Sequence, residues 1–250
     1  MTDLMLESFR PGFTALVVGA SGGIGAATAR ALDENPRCGA VLRLDRTSRP
    51  GFDVTDDAAV AAAAGALASQ CDAIDLVFDA TGALEVDGVG PEKTIQAIEP
   101  QTMARAFAIN AIGPALLLKH LAPHLPREGK SVFATLSARV GSIGDNNLGG
   151  WISYRASKAA LNQIVRTAAL EIRRRRPDAI CVALHPGTVR TRLSAPFAGS
   201  RNLFEPDAAA AKLLSVCDRL TCEDTGGFFA GNAAARIVPN IGDHDRRMGG

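Results

Sequence analysis

The chain has 250 residues, 47% hydrophobic and 21% charged, which is the composition of an ordinary soluble globular protein. With 27 basic and 26 acidic side chains the net charge is +1, so electrostatics give no reason to expect nucleic acid or an acidic membrane as partner. Cys38, Cys71, Cys181, Cys217 and Cys222 form neither a C-x-x-C pair nor a ligand cluster, as reduced thiols in a cytoplasmic protein would. Residues 1–11 carry acids and no long apolar run, unlike a secretory signal. Residues 58–68 are too short and too Ala-rich to span a bilayer.

Thr14-Ala15-Leu16-Val17-Val18 is a short apolar run of the buried-strand kind. It leads into Gly19-Ala20-Ser21-Gly22-Gly23-Ile24-Gly25 and then into helical composition over 26–32. Glycines let the backbone turn sharply and approach a ligand closely, and the free N–H groups of a new helix attract a diphosphate. Ala40-Val41-Leu42-Arg43-Leu44 reads as the second strand and ends at Asp45, about 20 positions on, where a ribose-binding carboxylate belongs. Asp45 would repel a 2′-phosphate, whereas Arg46 could pair with one. The two neighbours disagree, and the balance taken here is toward NAD(H), with NADP(H) open.

After Phe52-Asp53-Val54, Thr55 or Asp56 caps an Ala-rich helix reaching about Ser69. Ile74-Asp75-Leu76-Val77-Phe78 is a further buried strand, stopped at Asp79-Ala80-Thr81-Gly82. A loop with Gly88, Gly90 and Pro91 precedes a long helix over 101–120. Within it Asn110 lies among apolar residues, either as a structural hydrogen-bonder or as part of a site. His120 and His124 are four apart, but Pro123 interrupts them and no third ligand follows, so no metal is expected.

Ser131-Val132-Phe133-Ala134-Thr135-Leu136 is the next strand, with Ser137 at its carboxyl end, where a doubly wound sheet places its ligands. A Gly/Asn loop over 141–150 opens a helix running to about Arg175. Tyr154 and Lys158 are four apart on it and share a face, so a nearby ammonium would lower the phenol from its ordinary value near ~10. A phenol closer to neutrality can pass a proton. The arginines at 173–176 suit a helix C-terminus. Residues 179–184 form another strand, followed by His185-Pro186-Gly187-Thr188-Val189-Arg190-Thr191. The stretch around 193–204, rich in small residues, Pro and Gly, has the character of a flap over a substrate. A helix from 205 to 219 and strand material at 227–229 and 235–238 complete the chain. Strands alternating with helices predict one α/β domain over 1–250, a doubly wound Rossmann-type parallel sheet with helices on both faces.

Taken in order, the glycine-rich turn, Asn110, Ser137, Tyr154 with Lys158, and Pro186-Gly187 resemble the short-chain dehydrogenase/reductase family along essentially the whole chain. Residues 137–147 and 149–162 look most like its branch of C-factor (C-signal) proteins and sniffer-type carbonyl reductases. The resemblance implies a cofactor site in which Gly19, Ser21, Gly23, Ile24 and Gly25 face the diphosphate and Asp45 or Arg46 the adenosine ribose. Asp53 and Val54 would then face the adenine, with Ala80 and Gly82 beside the cofactor and Pro186, Gly187, Val189 and Thr191 bordering the nicotinamide. It implies Tyr154 as general acid/base, Lys158 on the nicotinamide ribose, Asn110 holding a relay water, and a homodimer or homotetramer packed through the Tyr helix and its predecessor.

Three departures stand out. The family's Asn-Asn-Ala-Gly is here Asp79-Ala80-Thr81-Gly82. The usual serine position, three before Gly141, is Ala138, so the hydroxyl falls to Ser137 one residue earlier or to Ser142. Arg190 adds a cation at the substrate mouth. The expected activity is NAD(P)-dependent hydride transfer between nicotinamide and a small carbonyl/alcohol substrate. The alternative is a non-catalytic cofactor-binding or signalling protein on the same scaffold.

Overall fold

The structure, a computed structural model, describes residues 4–191 and 203–231. Among them six parallel strands, β1 (Phe13–Val18), β2 (Cys38–Leu44), β3 (Leu76–Asp79), β4 (Ser131–Leu136), β5 (Ala179–His185) and β6 (Phe228–Ala230), form one sheet in the order β2-β1-β3-β4-β5-β6. Among the described residues the α-helices are α1 (Gly23–Asp33), α2 (Asp57–Ala68), α3 (Pro100–Phe107), α4 (Gly113–Leu121), α5 (Ile152–Arg173) and α6 (Pro206–Arg219).

The central strands are nearly all apolar because both of their faces are covered. Successive side chains alternate between two cores. Ala15, Val17, Val132, Ala134, Ile180 and Val182 point into the core beneath α1 and α6. Leu16, Val18, Phe133 and Cys181 join Val60 of α2, Leu117 of α4 and Leu161 of α5 on the other side. Each fully buried side chain of this size contributes about 1.5–3 kcal/mol. Asp56 caps α2, its carboxylate accepting from the N–H groups of Ala58 and Ala59.

One expected element needs revision. The helix expected over 101–120 is broken by a π-turn at Ala108–Ile112, which holds Asn110. The Pro100–His124 stretch is long and apolar enough to cross a membrane by length and composition, but its apolar face lies in the core through Ala106, Leu117, Leu118 and Leu121. The third strand of the sheet ends at Asp79. The strand material at 235–238 and most of the 193–204 flap lie outside the described residues.

Candidate active site

From β1 the chain moves to β2 on one side and returns to β3 on the other. The loops after β1 and β3 therefore flank the switch point where such sheets bind ligands. Gly19 has φ +77° and donates its N–H to Leu44 O at 2.8 Å. A Cβ there would lie 3.2 Å from the Ala80 carbonyl carbon, one on Gly23 2.7 Å from Thr191 Cγ2, and one on Gly25 would collide with the Gly19 carbonyl oxygen. Helix α1 begins with no side chain capping it. Uncapped N–H groups, glycines with no room for a Cβ, and Ala80 and Thr191 pressed against them fit a dinucleotide diphosphate. Ser21 is exposed at the tip of this turn and Ile24 packs onto the core. Gly187 has φ +79° beside the Phe204 ring, and Val189 is buried and paired with Phe204; Pro186 is half-buried.

Asp45 directly follows Leu44, whose carbonyl accepts from Gly19 N at the start of the glycine turn. It is buried, and Oδ1 accepts from the N–H groups of Thr47 (2.6 Å) and Ser48 (3.0 Å). Burial pushes the Asp45 carboxyl up, but the bonds from Ser48 and Thr47 together outweigh it and leave it below its ordinary value. Arg46 is exposed. Asp53 is exposed and accepts from Thr55 N and Oγ1, which hold it below its ordinary value. Val54 packs against the backbone of Gly113.

Tyr154 and Lys158 lie one turn apart at the head of α5, with the Lys158 Nζ 6.0 Å from the Tyr154 ring centre. The ammonium is drawn to β4, where it donates to Leu136 O at 2.8 Å. Gly82 (φ +150°) brings it together with Asn110: a Cβ there would be 3.3 Å from Nζ and 3.2 Å from Asn110 Oδ1. Burial pushes Lys158 down to about 8, against an opposing pull from Asp79. Here the electrostatic expectation is overturned. Burial pushes the Tyr154 phenol up to about 12, and no lowering by Lys158 offsets it, because the ammonium faces the Leu136 carbonyl.

The Asn110 side chain is a structural clamp. Oδ1 accepts from Ala83 N (2.9 Å), and Nδ2 donates to Ala83 O (2.8 Å) and to Ser157 Oγ (3.3 Å). Ser137 donates its hydroxyl to Asn162 Oδ1 at 2.7 Å. Ser142 Oγ is buried and has no partner among the described residues. Asp79 is wholly buried and accepts from Thr81 N, Thr81 Oγ1 and Thr135 Oγ1; burial raises its carboxyl above the ordinary value. Arg190 pairs with Glu205 at 2.8 Å. His120 Nε2 lies 2.7 Å from Asp57 Oδ1.

Two partners are absent from the sequence reading. Glu92, from the loop before α3, accepts from Ser153 at the start of α5, and Asn162 holds Ser137. Neither has a local signal: one is a loop acid beside Pro91, the other a polar residue within a long helix. A cavity of about 350 Å³ beside β2, lined by Arg43, Arg49, Leu67 and Gln70, includes none of these site residues.

A family profile described as Enoyl-(Acyl carrier protein) reductase matches residues 41–242. The 1-hydroxy-2-glutathionyl-2-methyl-3-butene dehydrogenase of Rhodococcus sp. (strain AD45) is 35% identical over 225 residues, covering 86% of this chain and 95% of that one. C-signal of Myxococcus xanthus is 39% identical over 51% of this chain and 73% of its own. The fold matches NADPH-bound carbonyl reductase from chicken fatty liver with a TM-score of 0.76, at 24% identity over 90% of this chain and 93% of that one. The chain therefore belongs to the short-chain dehydrogenase/reductase family, and is an NAD(P)-dependent oxidoreductase acting on an alcohol/carbonyl pair.

Proposed function

We propose that Tyr154 carries the proton at the substrate oxygen. The observation behind this reading is the junction at Gly82, where Lys158, Asn110 and the loop abutting Gly19 meet beside the head of α5. A bound nicotinamide would give a hydride to the substrate carbon in reduction or accept one from it in oxidation. The residues of this chain do the rest. The glycine turn and the start of α1 hold the diphosphate, and Lys158 holds the nicotinamide ribose. Burial pushes its phenol up to about 12, so Tyr154 holds its proton near pH 7 in the free protein and is the group that can pass it to the substrate oxygen. A hydroxyl donor to the substrate oxygen helps most as negative charge develops there. The Ser137 proton is held by Asn162, so the unpartnered Ser142 Oγ is the stronger candidate for that donor.

We infer a preference for NAD(H). Asp45, a buried carboxylate at the end of β2 beside the glycine turn, repels a 2′-phosphate and accepts from ribose hydroxyls. For the substrate, the exposed Ile143 and Leu148 in the 141–150 loop favour an apolar body. The Rhodococcus relative's name makes an alcohol bearing a glutathionyl group the first compound to try. The exposed Ile112 and Leu170, on the α4 side and on α5, support an oligomer packed through those helices.

A panel of aldehydes, ketones, quinones and glutathionyl alcohols, assayed by nicotinamide absorbance, tests the reading. Wild type turns over at least one of them, whereas Tyr154→Phe keeps NADH binding and loses at least ~10²-fold in kcat. Substantial turnover by Tyr154→Phe refutes the assignment.

A further inference from the structure

Helix α5 lacks a cap of its own. Its N-cap residue, Trp151, has φ +55°, offers no capping side chain, and the first turn holds no acid. Left-handed backbone at a bulky residue is unfavourable and persists only where its surroundings enforce it. Glu92 does so from the far side of the loop after β3. Its main-chain carbonyl accepts from Trp151 N at 2.5 Å, Oε2 accepts from Ser153 N at 3.2 Å, and the Ser153 hydroxyl donates to Oε1. Arg155 completes the clasp by donating to the carbonyls of Gly150 (2.9 Å) and Gly149 (3.1 Å).

The carboxylate is buried, and burial raises it, but the Ser153 donors and its own backbone N–H together outweigh that and keep it below its ordinary value. Beside it a cavity of about 10 Å³, lined by Ala83, Leu84, Thr102, Ser153 and Tyr154, has barely room for one water to replace a lost side-chain contact. Ser153 is the residue before Tyr154, and the Trp151 ring meets the Tyr154 ring edge-on at 6.4 Å. The residues Glu92 grips therefore flank the phenol on its own helix turn.

We propose that Glu92 is a positioning residue for Tyr154: by capping α5 in trans it fixes the first turn of the helix and, with it, the place of the phenol in the cleft. The inference rests on the reading of Tyr154 as the proton carrier. A misplacement of ~1 Å at a reacting group lowers rates by about 10²-fold, so the effect belongs in kcat and not in cofactor affinity.

The chain has one tyrosine and one tryptophan, so tyrosinate absorbance and indole fluorescence report Tyr154 and Trp151 alone. In Glu92→Ala the phenol is expected to titrate at least ~1 unit below wild type, toward the ordinary ~10, as its enclosure opens, with Trp151 emission shifted to the red. kcat falls ~10–100-fold while the NADH dissociation constant stays within ~2-fold. Glu92→Gln, which keeps an acceptor for Ser153 and the main-chain bond to Trp151, restores kcat to within ~5-fold of wild type. Should Glu92→Ala fail to fold, Ser153→Ala moves the same readouts in the same direction by less. An unmoved tyrosinate titration with kcat within ~2-fold of wild type in the folded variant overturns the proposal, as does a Gln variant as impaired as the Ala one. Full turnover by Tyr154→Phe would instead remove the parent reading, while the tyrosinate titration would still report whether Glu92 places the ring.

Discussion

At the glycine end of the cleft the decisive contacts are backbone against backbone or against a methyl group: Gly19 on Ala80, Gly25 on Gly19, Gly23 on Thr191. At the Tyr154 end they are side chains reaching in from distant segments: Glu92 to Ser153, Asn110 to Ala83, Asn162 to Ser137, Lys158 to Leu136. The first kind of site is shaped by the absence of side chains and tolerates no addition. The second is shaped by hydrogen bonds between buried polar groups, each sensitive to the loss of a single partner. The glycine end is therefore rigid by packing, and the Tyr154 end is tuned by charge and burial.

The largest effect is expected where that comparison is sharpest. Gly25→Ala places a methyl group on the Gly19 carbonyl, so the turn must distort. NADH affinity, followed by nicotinamide fluorescence, should fall at least ~30-fold, equivalent to about 2 kcal/mol of overpacking. Gly65→Ala, in α2 with open space around it, is the matched control and should leave binding unchanged. Equal binding by Gly25→Ala and wild type would show that the turn is not a packed cradle.

Lys158→Met tests the tuned end. Its turnover should fall at least ~10²-fold, yet its folding should be stronger than wild type at pH 7. The folded ammonium gives up its proton near about 8 and the ordinary one near 10.5. Below about 8 both states carry the charge, and the burial penalty is present in full; between the two values the unfolded chain binds more protons, so wild-type stability rises with pH. The advantage of Met, ~1–3 kcal/mol at pH 7 after loss of the Leu136 hydrogen bond, should therefore shrink as pH climbs toward 10.5 in denaturant titrations. A Met variant weaker than wild type at pH 7 would mean that Lys158 is well solvated or strongly paired.

A smaller difference separates the two serines. Ser142→Ala should lower kcat ~10-fold and Ser137→Ala less than ~3-fold, because only the Ser142 hydroxyl has a donor to offer. The reverse order would return the substrate contact to Ser137.

How legible each end was in the sequence follows from the same contrast. The strand–glycine–helix pattern at 14–32, the order of the strands and the Tyr154–Lys158 spacing are local, and local periodicity carries them. The π-turn around Asn110 was hidden, because an amide gripping the backbone of Ala83 is a long-range event within a helical pattern. The upward push on the phenol is not legible either, because spacing puts two side chains on one face but does not say whether an ammonium will turn to a carbonyl on β4. Glu92 left no trace, since a trans cap depends on a loop arriving from a different part of the sheet.

The account stands or falls on the ionisation of Tyr154, which its uniqueness in the chain makes directly measurable by tyrosinate absorbance. In the free protein the phenol should titrate near about 12. With NAD+ or NADP+ saturating, the positive nicotinamide ring should bring it down by at least ~1 unit, and Tyr154→Phe should abolish the signal. A phenol that titrates near ~10 in the free protein and does not respond to either cofactor would place Tyr154 outside the reacting cleft and contradict the account.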